Sequence, residues 1–281
     1  MFAALAILSA AFYGAADFLG GLTSKRAETL AIVVLSQFTG LVLLAVMVPF
    51  LPAASFSRSD VWWGAAAGIT GGSGVAILYY ALSVGTMAVV APVTSVCAVV
   101  IPVCAAFLLG ERPGPLTITG IVVAIVAIML LSRSESAGDD RAPHRSGLGL
   151  ALAAGVLIGL FFLCLARTGR DAGLWPLLFA RLVSVPLFGI IAVIGRRSFS
   201  MPRSVALTAA AGGTLDMLAN LLYLIATRVG PLSVVVTLAS LYPASTVMLA
   251  RVTLGERLTT TQSIGVVCAF AAVVLIVGST S

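Results

Sequence analysis

The stretch Leu109-Gly110-Glu111-Arg112 returns as Leu254-Gly255-Glu256-Arg257, and that return decides how the chain is read. The two copies lie 145 residues apart. Sliding the sequence by the same 145 residues lays positions 81–131 on 226–276 without a gap, and sixteen of those 51 pairs are identical. Val84-Gly85 meets Val229-Gly230, and Gly120 meets Gly265. Further back, Gly14 meets Gly159 and Gly68 meets Gly213. Tracts rich in Ala, Val and Leu match by composition alone. The Gly, Glu and Arg of the paired motif do not share that bias, and the offset is constant, so the chain reads as an internal duplication.

Outward from the motif, polar and Gly/Pro clusters divide the sequence into ten apolar runs, roughly 2–22, 28–51, 61–82, 86–109, 115–132, 147–166, 173–195, 204–226, 231–253 and 260–278. Of the 281 residues, 60% are hydrophobic and only 9% charged, where soluble domains carry about 25% charged residues. A soluble enzyme, a disordered chain and a disulfide scaffold are thereby excluded. A spanning helix takes about 20 apolar residues, so ten of them consume about 200 positions and leave no room for a water-soluble domain. No run alternates apolar and polar residues as a barrel strand does. Backbone groups find no water in lipid, so helices are the remaining solution. The run 2–22 lacks a basic leader and contains Asp17, and is read as a retained first span.

The expected fold is therefore an all-α integral membrane protein of ten transmembrane helices. Five belong to a first repeat (1–132) and five to a second (147–281), joined by a polar linker (133–146). Five is odd, so the second copy enters the membrane from the opposite side and the repeats are inverted. Secondary transporters are built this way, with their site near mid-membrane at the repeat interface. Two five-helix repeats, each carrying the LGER stretch and then a helix with Gly120 or Gly265, resemble the EamA-type transporters of the drug/metabolite transporter superfamily. The resemblance covers nearly the whole chain. It implies a ten-helix carrier with helices 1–4 and 6–9 around a central cavity and helices 5 and 10 behind. It also implies a substrate among amino acids, metabolites, drugs, sugars and nucleotide-linked compounds, without choosing between them.

Ionisable groups inside a membrane are costly and need a reason. Asp216 lies mid-way along the eighth run, with Asn220 one turn later on the same face. The pair can bind a polar substrate group or a proton, or can glue helices together. Their repeat partners are Gly71 and Val75, so the polarity belongs to one half only. Asp17, with Tyr13 four residues earlier, either lines the cavity mouth or snorkels toward Lys25 and Arg26; its repeat partner is Phe162. Arg181, in the seventh run, neutralises Asp216, binds a substrate carboxylate or braces the bundle. If close, it holds Asp216 charged and makes the pair a brace or a zwitterion anchor. Otherwise Asp216 is expected to alternate between proton and substrate. Pro92 and Pro102, Pro176 and Pro186, and Pro243 are expected to interrupt the fourth, seventh and ninth helices, and Tyr242 stands at the last of these breaks. The glycine rows Gly64/Gly68/Gly72 and Gly155/Gly159 are close-packing faces. Glu111 and Glu256 are read as parts of helix C-terminal stops beside Gly110 and Gly255.

Other signals point away from chemistry. Cys97, Cys104, Cys164 and Cys268 lie in apolar runs and read as small buried hydrophobes. His144 is the sole histidine and sits in the linker, so no metal or cofactor site is expected. Gly71-Gly72-Ser73-Gly74 mimics an intramembrane serine protease, but neither His144 nor Lys25, the sole lysine, can serve as its base. No phosphate-binding loop is present, so energy is expected from a gradient. The reading is a non-enzymatic secondary active transporter of a small molecule in the cell membrane, coupled to protons or working by exchange. The alternative is a channel or a non-transporting bundle. The net charge of +6 comes from arginines scattered through short loops and speaks to orientation, not nucleic acid. Loops on the N-terminal side hold five Lys and Arg and the opposite loops nine, which places both termini outside; the resemblance implies both inside.

Overall fold

The computed structural model describes residues 1–50, 54–84, 87–131, 145–254 and 259–278. Within them the chain is helical throughout: α1 (Phe2–Ser24), α2 (Thr29–Met47), α3 (Arg58–Val84), α4 (Met87–Leu108), α5 (Pro115–Leu131), α6 (Arg145–Ala166), α7 (Trp175–Ile194), α8 (Arg203–Val229), α9 (Leu232–Ala239), α10 (Tyr242–Leu254) and α11 (Thr260–Gly278). The helices α9 and α10 are two halves of one broken ninth span, so the eleven helices make ten spans. Seven helices are long and apolar enough to cross a bilayer individually. The shorter α5, at 17 residues, reaches about 25 Å at 1.5 Å per residue. Residues 133–144 of the expected linker, His144 among them, and Gly255, Glu256 and Arg257 of the second LGER lie outside the described residues, while Arg145 and Ser146 open α6.

The packing obeys the duplication. The helix α1 packs on α8, and its repeat partner α6 packs on α3, the partner of α8. In the same way α4 against α6 mirrors α10 and α9 against α1, and α3 against α7 mirrors α8 against α2. The pair α2–α7 and the pair α5–α11 each map onto themselves. Matched glycines do matched work. A Cβ on Gly68 would strike the Ala180 carbonyl of α7, and one on Gly213 would strike the Ser36 backbone of α2. Gly14 faces α10 at Tyr242 and Ser245, as Gly159 faces α4 at Ala98 and Ile101. The whole row Gly64, Gly68 and Gly72 meets α7 at Pro176, Ala180 and Phe188. Association in lipid rests on such close contact, because apolar burial alone gains little there. Large side chains on α2 (Phe38, Val46), α7 (Ile190, Val193) and α11 (Val267, Phe270) are exposed and face the lipid.

Local details depart from the sequence reading in three places. The second run ends early: α2 stops at Met47 and a 3₁₀ turn covers Val48–Phe50. Only Pro243 accompanies a break. The helix α4 runs unbroken through Pro92 and Pro102, α7 runs through Pro186, and Pro176 occupies the first turn of α7, where a missing N–H costs nothing. Of the cysteines only Cys164 is buried, while Cys104 is exposed on the apolar surface. Gly110 does terminate its helix as expected. Its φ is +97°, and the Glu111 N–H closes back on the Ala106 carbonyl at 3.0 Å.

Candidate functional site

A small cavity of about 40 Å³ lies among α1, α3, α6, α7, α8 and α10. Tyr13, Asp17, Arg181, Asp216, Asn220 and Tyr242 all line it. All six residues singled out from the sequence thus stand in one wall system. The helices α5 and α11 contribute nothing to it.

Asp216 sits thirteen residues from each end of α8, about 20 Å from either face of the bundle at 1.5 Å per residue. It is not isolated. Arg181 Nη2 donates to its Oδ2 at 2.6 Å, and the two side chains are only 7% and 15% exposed. Asn220 Nδ2 donates to the same carboxylate at 3.0 Å and to the Asp216 carbonyl at 2.7 Å, the i, i+4 geometry read from the sequence. The Asn220 Oδ1 in turn accepts the Tyr13 hydroxyl at 2.8 Å, which ties α8 to α1. Behind the ion pair, Arg181 Nη1 donates to Gln37 Oε1, and Ser184 Oγ donates to that oxygen at 2.9 Å. The condition for a brace or an anchor, an arginine against Asp216, is therefore met.

Asp17 differs. It lines the cavity from α1 and does not snorkel to Lys25. Its carboxylate has no hydrogen-bond or ion-pair partner among the described residues. Around it the wall is aromatic. Tyr13 meets Phe162 edge-on with centroids 5.8 Å apart, and Tyr242, brought inward at the α9–α10 break, lies 6.4 Å from Tyr13.

The repeat relation organises the lining. Asp17 and its partner Phe162 both face the cavity, as do Tyr13 and Ile158, Asp216 and Gly71, and Asn220 and Val75. The polar member of every pair stands on α1 or α8, the apolar member on α6 or α3. The four polar members thus come from two helices that pack on each other, and the four apolar or small members from two others that do the same.

The N-terminal end of the bundle is bridged by contacts between repeats. The Glu111 carboxylate accepts from the Leu232 N–H at 2.6 Å, the Ser233 N–H at 3.1 Å and the Ser233 hydroxyl at 2.6 Å, capping α9. The Asp60 carboxylate accepts from the Gly169 N–H at 2.6 Å, while Ser57 and Asp60 cap α3 between them. Ser55 N–H reaches the Asp171 carbonyl of the other repeat at 3.2 Å, while within the second repeat Arg228 donates to the Arg170 carbonyl. At the other end, the described ion pair is the exposed Arg197–Glu28 contact at 3.2 Å.

The profile of the EamA-like transporter family matches residues 1–133 and again 145–278. The chain belongs to that family. Among curated proteins none matches the sequence. A crystal structure described only as that of a protein superposes with a TM-score of 0.79 at 18% identity, over 97% of this chain and 95% of its own. At that identity the likeness speaks for the fold alone. This EamA-like chain is thus a multi-pass membrane protein of two repeats, and its relatives are transporters. Phe161 lines the cavity, Gln37 and Ser184 stand behind the ion pair and Glu111 bridges the repeats, and none of these placements was assigned from sequence. The signal for Gln37 was present: an amide in the middle of an apolar run.

Proposed function

We propose that the protein is a secondary active transporter of a small polar molecule, working by alternating access in the cell membrane and driven by protons or by exchange. One observation carries this reading: a cavity at the repeat interface built from repeat-related residues, with Asp216, Asn220, Arg181, Tyr13, Asp17 and Tyr242 in its lining. Inverted repeats around a mid-membrane site supply two related closures, one at each end, and only one need be shut at a time. In this structure the N-terminal end carries the Glu111, Asp60 and Ser55 ties. A channel reading is disfavoured, because its polar lining would repeat between the halves, and here the repeat partners of Tyr13, Asp17, Asp216 and Asn220 in the lining are Ile158, Phe162, Gly71 and Val75.

The test needs no known substrate. In a background with the four cysteines replaced, Val75→Cys is labelled by a membrane-impermeant thiol reagent in right-side-out and in inverted vesicles. A second chain adds Ser55→Cys and Asp171→Cys, whose backbones already touch. The single variant should be labelled from both sides. The oxidised crosslinked protein should be labelled only from the side opposite the N-terminus. Labelling from the N-terminal side through the crosslink, or from one side only without it, would count against alternating access.

A further inference from the structure

We infer that the cavity selects a singly charged amphipathic cation, an amine or quaternary ammonium with an apolar body, held at Asp17 in exchange for a proton. This rests on the transporter reading and names the substrate class for the same site. The charges decide the sign. The lining holds two carboxylates and one guanidinium. The guanidinium is already committed to Asp216, at 2.6 Å, and to Gln37. One carboxylate, Asp17, is left without a partner among the described residues. An unpaired charge facing a low-dielectric cavity is costly. A proton or a cation relieves that cost, and an anion adds to it.

The neighbours of Asp17 leave it alone in that role. On its own helix stands Tyr13, on α8 Asp216 and Tyr223, on α7 Arg181, on α3 Tyr79 and on α10 Tyr242. The sequences of α2 and α9 contain no titratable residue. The only cation in this set is Arg181, and Asp216 holds it. Tyr13, Phe161, Phe162 and Tyr242 line the same cavity, and cation–π attraction of an ammonium group to a ring face strengthens in a desolvated site. Gly71, Val75, Leu78 and Ile158 of the lining accept only apolar surface. A ligand with one charged end and one apolar end fits this lining.

Exchange then balances. When the ammonium arrives, the O–H bond of the Asp17 carboxylic acid breaks and its proton leaves to water. When the ammonium departs, a proton returns to the same oxygen. One positive charge replaces another, and transport is electroneutral.

Three probes of one shape separate the possibilities: phenethylamine (a cation), 2-phenylethanol (neutral) and phenylacetate (an anion). Binding to the purified full chain is measured by isothermal titration at pH 8 and pH 6. Phenethylamine should bind about tenfold or more tightly than 2-phenylethanol at pH 8, the size of one desolvated cation–π or ion-pair contact, with phenylacetate weakest. The preference should shrink at pH 6, because protons compete for Asp17. Asp17→Asn should lose the preference and its pH dependence while still binding 2-phenylethanol, which shows that the cavity has formed. Should Asp17→Asn fold poorly, Asp17→Glu keeps the charge and should keep the preference. Equal binding of the three probes, tighter binding of phenylacetate, no binding of any probe, or a cation preference untouched by Asp17→Asn overturns the inference. The transporter reading is judged separately: a probe that binds but never crosses a liposome membrane overturns that reading and leaves the cation assignment standing.

Discussion

Removing the Arg181–Asp216 pair one side at a time should cost far more than removing it whole. The two side chains are 7% and 15% exposed, so water cannot take over when one partner goes. Arg181→Met leaves a buried carboxylate held only by the Asn220 amide, and Asp216→Leu leaves a buried guanidinium held only by Gln37. Each should destabilise by about 3–5 kcal/mol, the usual cost of orphaning a buried charge. Additivity would make the double variant cost about 6–10 kcal/mol by the same figures. The expected cost is instead about 1–3 kcal/mol, because no charge remains and only polar groups lose a partner. Even those keep at least one contact: Gln37 retains Ser184, and Asn220 retains Tyr13 and the backbone carbonyl at position 216. Unfolding free energies from SDS titration in mixed micelles give the cycle. A double variant whose loss equals the sum of the singles within about 0.5 kcal/mol would refute the pairing as the keystone of the network.

Gly68→Leu should abolish folding, since its Cβ meets the Ala180 backbone, whereas Gly189→Leu, with nothing within 4 Å, should express normally; size-exclusion profiles in detergent compare them. Glu111→Ala should lower unfolding free energy by about 0.5–2 kcal/mol through loss of the α9 cap, and Glu111→Gln by less; equal stability of all three chains would show that the cap contributes nothing. C-terminal reporter fusions should place the C-terminus outside, as the loop charges direct; a cytoplasmic signal overturns that orientation.

The ten spans were legible because lipid leaves the backbone few choices. The duplication was legible because Gly and Glu stand out against an aliphatic background. Which proline breaks its helix was not legible. Pro92, Pro102, Pro186 and Pro243 look alike in sequence, and only neighbouring helices decide whether the freed carbonyls find partners in an unbroken helix. Glu111 shows the same boundary. Its backbone ends α4 as Gly110 predicts, but its carboxylate serves a helix 121 residues away. Gln37 and Ser184 escaped notice because uncharged polar residues in spans commonly satisfy themselves on their own helix, as Thr70 and Thr214 do here. The placing of Asp17 and Phe162 in the lining of one cavity needed the three-dimensional fold, although the repeat offset had already made them partners.

That partnership explains how a duplicated chain comes to hold an asymmetric site. An inverted repeat can bring a residue and its own copy to the lining of one cavity. Identical copies would give a cavity with the same chemistry from both repeats, suited to a ligand with two equal ends. Here the copies differ at four lining pairs: Asp17/Phe162, Tyr13/Ile158, Asp216/Gly71 and Asn220/Val75. The differences are not sorted by repeat. Tyr13 and Asp17 come from the first repeat, Asp216 and Asn220 from the second. They are sorted by packing, because α1 and α8 touch each other and so do α6 and α3. The Tyr13–Asn220 hydrogen bond therefore joins the repeats, and neither repeat alone contains the polar set. The fold fixes the meeting point of α1 and α8 by close helix contact, and differences at four lining pairs are enough to turn a symmetric space into one whose polar and apolar members come from different helix pairs.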